Sequence, residues 1–150
     1  MGIFNFLTQE IAIDLGTANT LIIAHDKVMV DEPSIVAIDR KTEKVIAVGK
    51  RAMQMHEKTH ENIKTIRPLR DGVIADFQAA ESMIRGMISM IFPKNKLFKP
   101  SLVMVICIPS GITEVEKRAV KDSAEQAGAR EAYLIHEPMA AALGIGIDVE

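Results

Sequence analysis

The chain has 150 residues, 48% of them apolar and 25% charged, with 18 basic against 20 acidic side chains and a net charge of −2. That balance excludes disorder through low hydrophobicity and leaves no overall basic field to recruit nucleic acid. A single cysteine, Cys107, excludes an internal disulfide and a multi-cysteine metal cage, and a reducing, cytoplasmic setting is the expectation.

The first residues, Met1 to Leu7, carry Ile3, Phe4, Phe6 and Leu7 but no cationic region, so they do not read as a signal peptide. Gly2 is followed by Phe6 where a myristoylation motif has Ser or Thr. Ile11-Ala12-Ile13 and Leu21-Ile22-Ile23 are β-forming runs around a polar turn, Asp14 to Thr20, and read as a hairpin. His25-Asp26-Lys27 turns into Val28-Met29-Val30, which Glu32-Pro33 is expected to break. Ser34–Asp39 and Lys44–Val48 are two more strands around a polar turn.

Lys50 to His60 reads as a short helix and Ile63 to Leu69 as a strand closed by Arg70-Asp71-Gly72. From Asp76 to Phe92 the stripe Met83, Ile84, Met87, Ile88 and Ile91 has helical spacing. Leu102 to Ile108 is the longest apolar run, far short of the roughly 20 residues that span a membrane, and reads as a strand buried on both faces. Thr113 and Glu116 form a capping box opening a helix that Gly128 ends. Ala132–Ile135 is a strand, and Glu137-Pro138 opens an alanine-rich helix. The alternation predicts one mixed sheet, antiparallel early and parallel late, with helices on its faces.

Two segments carry candidate chemistry. In Asp14-Leu15-Gly16-Thr17-Ala18-Asn19-Thr20, Gly16 permits close backbone approach. The amides and hydroxyls of Thr17 to Thr20 can cradle phosphate oxygens, and Asp14 can hold Mg²⁺ through water. The alternative is a polar hairpin turn whose aspartate bonds its own backbone. In His136-Glu137-Pro138, Glu137 either caps its helix or orients or deprotonates a water that attacks a γ-phosphate. His136 has no cysteine or second histidine at ligand spacing and reads as structural. Leu97 and Phe98, flanked by Lys96 and Lys99, either dip into a lipid surface or pack on their own domain. The same choice holds for Ile3, Phe4, Phe6 and Leu7.

Ile11 to Thr20, IAIDLGTANT, resembles the first phosphate loop of the actin, Hsp70 and sugar-kinase superfamily. LIHEPMAAALGIG, from Leu134 to Gly146, is similar to its connecting helix, and IPSGITEVEKRA fits the segment between. Within the superfamily, DLGTANT and RPLRDGVIADF (Arg67 to Phe77) resemble the MreB family of rod-shape-determining bacterial actin homologues, from about residue 9 to the last residue. The resemblance implies an α/β, ribonuclease-H-like mixed sheet with flanking helices, the first lobe of an actin-like ATPase fold. Residues 10–30 and 70–150 would form the core, 31–69 a small inserted subdomain, and 1–9 an apolar N-terminal segment. ATP and Mg²⁺ would be the ligands. Asp14 would be the metal-associated aspartate, Gly16, Thr17, Ala18, Asn19 and Thr20 the loop on the β- and γ-phosphates, and Glu137 the residue positioning the hydrolytic water.

Family members form double filaments under the inner membrane and organise wall-synthesis enzymes. That implies self-association, a peripheral membrane location and no nucleic acid. Leu97 and Phe98 fall where the family carries its membrane-inserting loop, and the apolar start would add to it. Family chains are about twice as long, with a second phosphate loop and the adenosine pocket in their other half. The expectation is therefore an N-terminal lobe that binds ATP weakly and hydrolyses it negligibly alone. A metabolite-kinase lobe, an Hsp70-like chaperone lobe and a non-catalytic filament-binding fragment are the competing readings.

Overall fold

The computed structural model describes residues 8–58, 61–92 and 101–147. Strands β1 (Thr8–Leu15), β2 (Asn19–Ala24) and β3 (Lys27–Pro33) form an antiparallel meander. The β2–β3 turn, His25-Asp26, has positive φ at both residues, 53° and 58°, the handedness that matches strand twist in two-residue hairpins. Two later strands, β9 (Ser101–Ile108) and β10 (Ala129–His136), join parallel to β1. The result is a five-stranded sheet ordered β10-β9-β1-β2-β3.

Between the two groups lies a second sheet. Its strands β4 (Val36–Asp39), β5 (Val45–Val48) and β6 (Ile63–Ile66) are ordered β5-β4-β6, all antiparallel. Helix α1 (Lys50–Glu57) packs on it, with its Ala52 against Ile35, Ala37 and Ala47. A two-stranded ribbon follows, β7 (Leu69–Arg70) with β8 (Val73–Ile74).

The sequence predicted one sheet, and there are two plus a ribbon. The division falls at Pro33. Strand β3 runs through Glu32 instead of breaking there, since it is the sheet's edge and an edge strand tolerates proline. It then has no N–H to continue the ladder, and the chain turns at Ser34 into the second sheet. The expected strand over Ile63–Leu69 is likewise split, with β6 in the second sheet and Leu69 in the ribbon.

Helix α2 (Phe77–Ile91) starts at Asp76, whose carboxylate accepts from the Ala79 amide, and buries Met83, Ile84, Met87 and Ile88 of the predicted stripe. Helix α3 (Glu114–Ala127) has the capping box at Thr113 and Glu116, with Gly128 left-handed at its end. Both helices cover the same face of the large sheet, over Ile11, Ile13, Leu15, Ile22, Met104, Ile106 and Ile108. On the other face Ile23, Val105 and Tyr133 are exposed. Strand β9 is therefore not buried on both sides: Leu102, Met104, Ile106 and Ile108 are buried, while Val105 is 36% exposed. The last helix, α4 (Glu137–Gly144), buries none of its residues. Among the described residues no helix is long and apolar enough to cross a membrane.

Candidate functional site

The parallel strands β1, β9 and β10 all end on one edge of the large sheet, the edge where open α/β sheets receive ligands. Three loops leave it: Gly16–Ala18, the turn after Pro109, and His136-Glu137. The ribbon's turn, Asp71-Gly72, reaches the same place. The Gly72 amide donates to Thr17 Oγ1 at 2.9 Å. A Cβ on Gly72 would lie 2.6 Å from Pro109 Cγ, and its φ is +79°. Pro109 in turn accepts through its carbonyl from His136 Nδ1 at 3.3 Å. An unbroken series of contacts thus runs from the glycine loop, through ribbon and turn, to the residue before Glu137.

The glycine loop is fastened by its carbonyls. Ser34 Oγ donates to Gly16 O at 2.6 Å, and the Ser34 amide donates to Ala18 O at 2.8 Å. Asn19 turns its side-chain amide to Asp31 Oδ1 at 3.0 Å. A Cβ on Gly16 would lie 2.5 Å from Asn19 O, so only glycine closes the hairpin this tightly. The amides of Gly16, Thr17 and Ala18 find no hydrogen-bond acceptor among the described residues. Consecutive free N–H groups with tied carbonyls make an anion-binding concavity. Thr17 Oγ1 accepts from Gly72, which leaves its hydroxyl hydrogen to donate elsewhere. Thr20 is fully buried, with its hydroxyl against Ser34 Oγ at 2.9 Å.

Asp14 and Glu137 are exposed, and their side chains make no hydrogen bond or ion pair among the described residues. Asp14 pairs in register with Cys107, whose other neighbour, Ile135, lies two residues before Glu137. Burial pushes the Cys107 thiol up, and the carboxylates of Asp14 and Glu137 push it the same way. Both acids therefore act on one point at the strand ends. Among the described residues no three His, Cys, Asp or Glu side chains gather to hold a metal. That set does not form a protein cage, but it suits Mg²⁺, which keeps most of its waters and takes one or two carboxylates beside phosphate oxygens.

Sequence reasoning passed over Ser34, Gly72 and Cys107. The first two act only through contacts across 18 and 55 residues, which no local pattern carries. The lipid-contact candidates Leu97, Phe98, Ile3, Phe4, Phe6 and Leu7 lie outside the described residues.

The MreB/Mbl family profile matches residues 8–150. The chain belongs to that family. Among its MreB/Mbl relatives, the cell shape-determining protein MreB of Escherichia coli is 48% identical over 147 residues, 95% of this chain and 42% of the relative. The cell shape-determining protein Mbl of Bacillus subtilis is 46% identical over 142 residues, 94% of this chain and 42% of the relative. The crystal structure of MreB5 of Spiroplasma citri bound to ADP superposes with a TM-score of 0.77 at 40% identity, over 94% of this chain and 42% of that one. A MamK double helical filament superposes at 0.75 with 18% identity, a likeness of fold. The chain thus has the actin-like α/β fold of these proteins and spans 42% of the length of the MreB and Mbl relatives it matches.

Proposed function

We propose that residues 10–147 form the nucleotide-binding N-terminal lobe of an MreB/Mbl-type cell-shape protein, with ATP and Mg²⁺ as ligands. The observation that carries this reading is the glycine loop: three free amides, two tied carbonyls and a tethered Thr17 hydroxyl on the ligand edge of the sheet. The MreB5 structures of Spiroplasma citri, bound to ADP and to AMPPNP at 40% and 37% identity, support it.

In this reading the amides of Gly16, Thr17 and Ala18 hold β- and γ-phosphate oxygens. Asn19 and Thr20 close the hairpin behind them. Asp14 accepts hydrogen bonds from water around Mg²⁺, which would neutralise the phosphate charge. Glu137, at the start of α4, orients the attacking water and takes its proton. His136, tied to Pro109, fixes the strand end from which Glu137 projects. Positioning and electrostatics are most of what phosphoryl transfer asks of a protein.

The rest of the proposal extends to the whole protein. Residues 31–69 are its small inserted subdomain, and the second wall of the cleft corresponds to the part of its MreB and Mbl relatives that this chain does not span. It self-associates into filaments, as MamK does, and sits peripherally on the inner membrane through Leu97, Phe98 and the apolar start, where it meets wall-synthesis enzymes. Titrating the ¹⁵N-labelled chain with MgATP tests the core of this. The amides of residues 16–18 and 72 should shift together; shifts confined to other surfaces would sink the assignment. For the membrane part, Leu97→Ser with Phe98→Ser should abolish sedimentation with liposomes, and unchanged sedimentation would remove the loop from the proposal.

A further inference from the structure

We infer that Ser34 is a positioning residue of the phosphate loop, and that Thr20 acts on the ligand through Ser34 without touching it. The inference rests on the nucleotide reading above and deepens it. Its ground is the proton count at a fully buried pair of hydroxyls. Thr20 and Ser34 are both 0% exposed. Ser34 has one hydroxyl hydrogen, and the 2.6 Å contact to Gly16 O takes it. The 2.9 Å contact between the two hydroxyls must then run from Thr20 to Ser34. Thr20's only hydrogen points into the protein and is spent there.

Ser34 is therefore saturated: its Oγ donates to Gly16 O and accepts from Thr20, and its amide donates to Ala18 O at 2.8 Å. These bonds grip both ends of the three-residue segment whose amides are free. Across a trans peptide the Gly16 carbonyl lies opposite the Thr17 N–H, so turning that carbonyl toward Ser34 aims the middle amide of the loop away from it, while the hold on Ala18 O fixes where the segment ends. A buried, fully satisfied network of this kind fixes geometry because any other arrangement strands a polar atom. Ser34 is also the residue at which the chain leaves the large sheet. The residues around it are tied to the start of α1, with the Gly49 amide donating to Ile35 O at 3.0 Å and the Lys50 amide to the Glu32 carboxylate at 2.6 Å. The loop's shape is thus set from the junction between the two sheets.

The test is an NMR titration of the ¹⁵N-labelled chain with MgATP, with thermal unfolding measured on each variant. Ser34→Ala should weaken the response of residues 16–18 about tenfold. Thr20→Val, which keeps the shape and removes the hydroxyl, should weaken it similarly, and the double variant no further than either single one. Thr20→Ser restores the hydroxyl and should restore the response. Ile22→Val, a core change in β2 away from the loop, should lower Tm while leaving the response unchanged, which separates positioning from general stability. Should Ser34→Ala fail to fold, Thr20→Val against Thr20→Ser carries the test alone. Affinity within twofold of the parent in Ser34→Ala or Thr20→Val, or additive losses in the double variant, would overturn the inference. No response in the unsubstituted chain would instead overturn the nucleotide reading, and this inference with it.

Discussion

Replacing Gly72 by alanine attacks the contact that joins the ribbon to the glycine loop. The new Cβ would sit 2.6 Å from Pro109 Cγ, inside van der Waals contact, at a backbone φ of +79°. The left-handed conformation costs an L-residue about 1–2 kcal/mol. Relieving the clash by moving the turn lengthens the 2.9 Å bond from the Gly72 amide to Thr17 Oγ1, a loss of about 1 kcal/mol. The sum is about 2–3 kcal/mol, which for a domain of this size lowers Tm by roughly 5–10 °C. Gly111→Ala is the control: nothing lies within 4 Å of its added Cβ, and there the change should be neutral or slightly stabilising. Thermal unfolding of the two variants reads the difference, and the amide shift of Thr17 reports whether the ribbon has drawn away. A Tm within a degree of the parent for Gly72→Ala, or equal effects of the two variants, would refute the claim that this turn is held against Pro109 and Thr17.

Cys107 should react with alkylating agents more slowly than a free thiol at mildly alkaline pH, because burial and the carboxylates of Asp14 and Glu137 hold its proton. Asp14→Asn or Glu137→Gln should speed alkylation, and a rate unchanged in both would mean the acids do not face this point. The sign for stability follows: a thiol that holds its proton more tightly when folded contributes at low pH, and that contribution fades as pH rises through the thiol range. In the acid range the opposite applies to Glu116, whose carboxyl is lowered by the Thr113 hydroxyl and amide. Its contribution is present at neutral pH and is lost as pH falls through the carboxylate range, so Thr113→Ala should flatten the acid limb of a stability profile. At neutral pH the same change should cost about 1 kcal/mol by chemical denaturation. Calorimetry on the 150-residue chain should find ATP binding far weaker than micromolar, and micromolar affinity would show that this lobe needs no second wall.

Where a signal is local, the sequence carried it. The α2 stripe, the Thr113 box and the glycine hairpin are each decided within about one or two turns of chain, and each stands where its pattern places it. Legibility ended where partners are distant. Nothing near Ser34 marks it as the clamp of Gly16, and nothing near Gly72 marks Thr17. The separation into two sheets turned on Pro33 being an edge residue, a property of strand order that β-propensity does not contain. Val105 reads as core by composition and is 36% exposed because it points to the face opposite α2 and α3. For the candidate site, the residue types were legible. Their hydrogen-bond roles, including which hydroxyl keeps a free proton, needed the fold.

The pairing of Thr8 with Ser101 has a consequence for the newborn chain. Strand β1 gets its antiparallel neighbour β2 at once, through a short hairpin. Its parallel neighbour β9 is made only about 90 residues later, on the order of 5–20 s at usual synthesis rates. For that interval the outer edge of β1 is an unpaired ladder beside Ile11 and Ile13, side chains that end up almost wholly buried. An open apolar edge of this kind recruits other chains. The strand that ends in the glycine loop is therefore the segment most in need of protection on the ribosome.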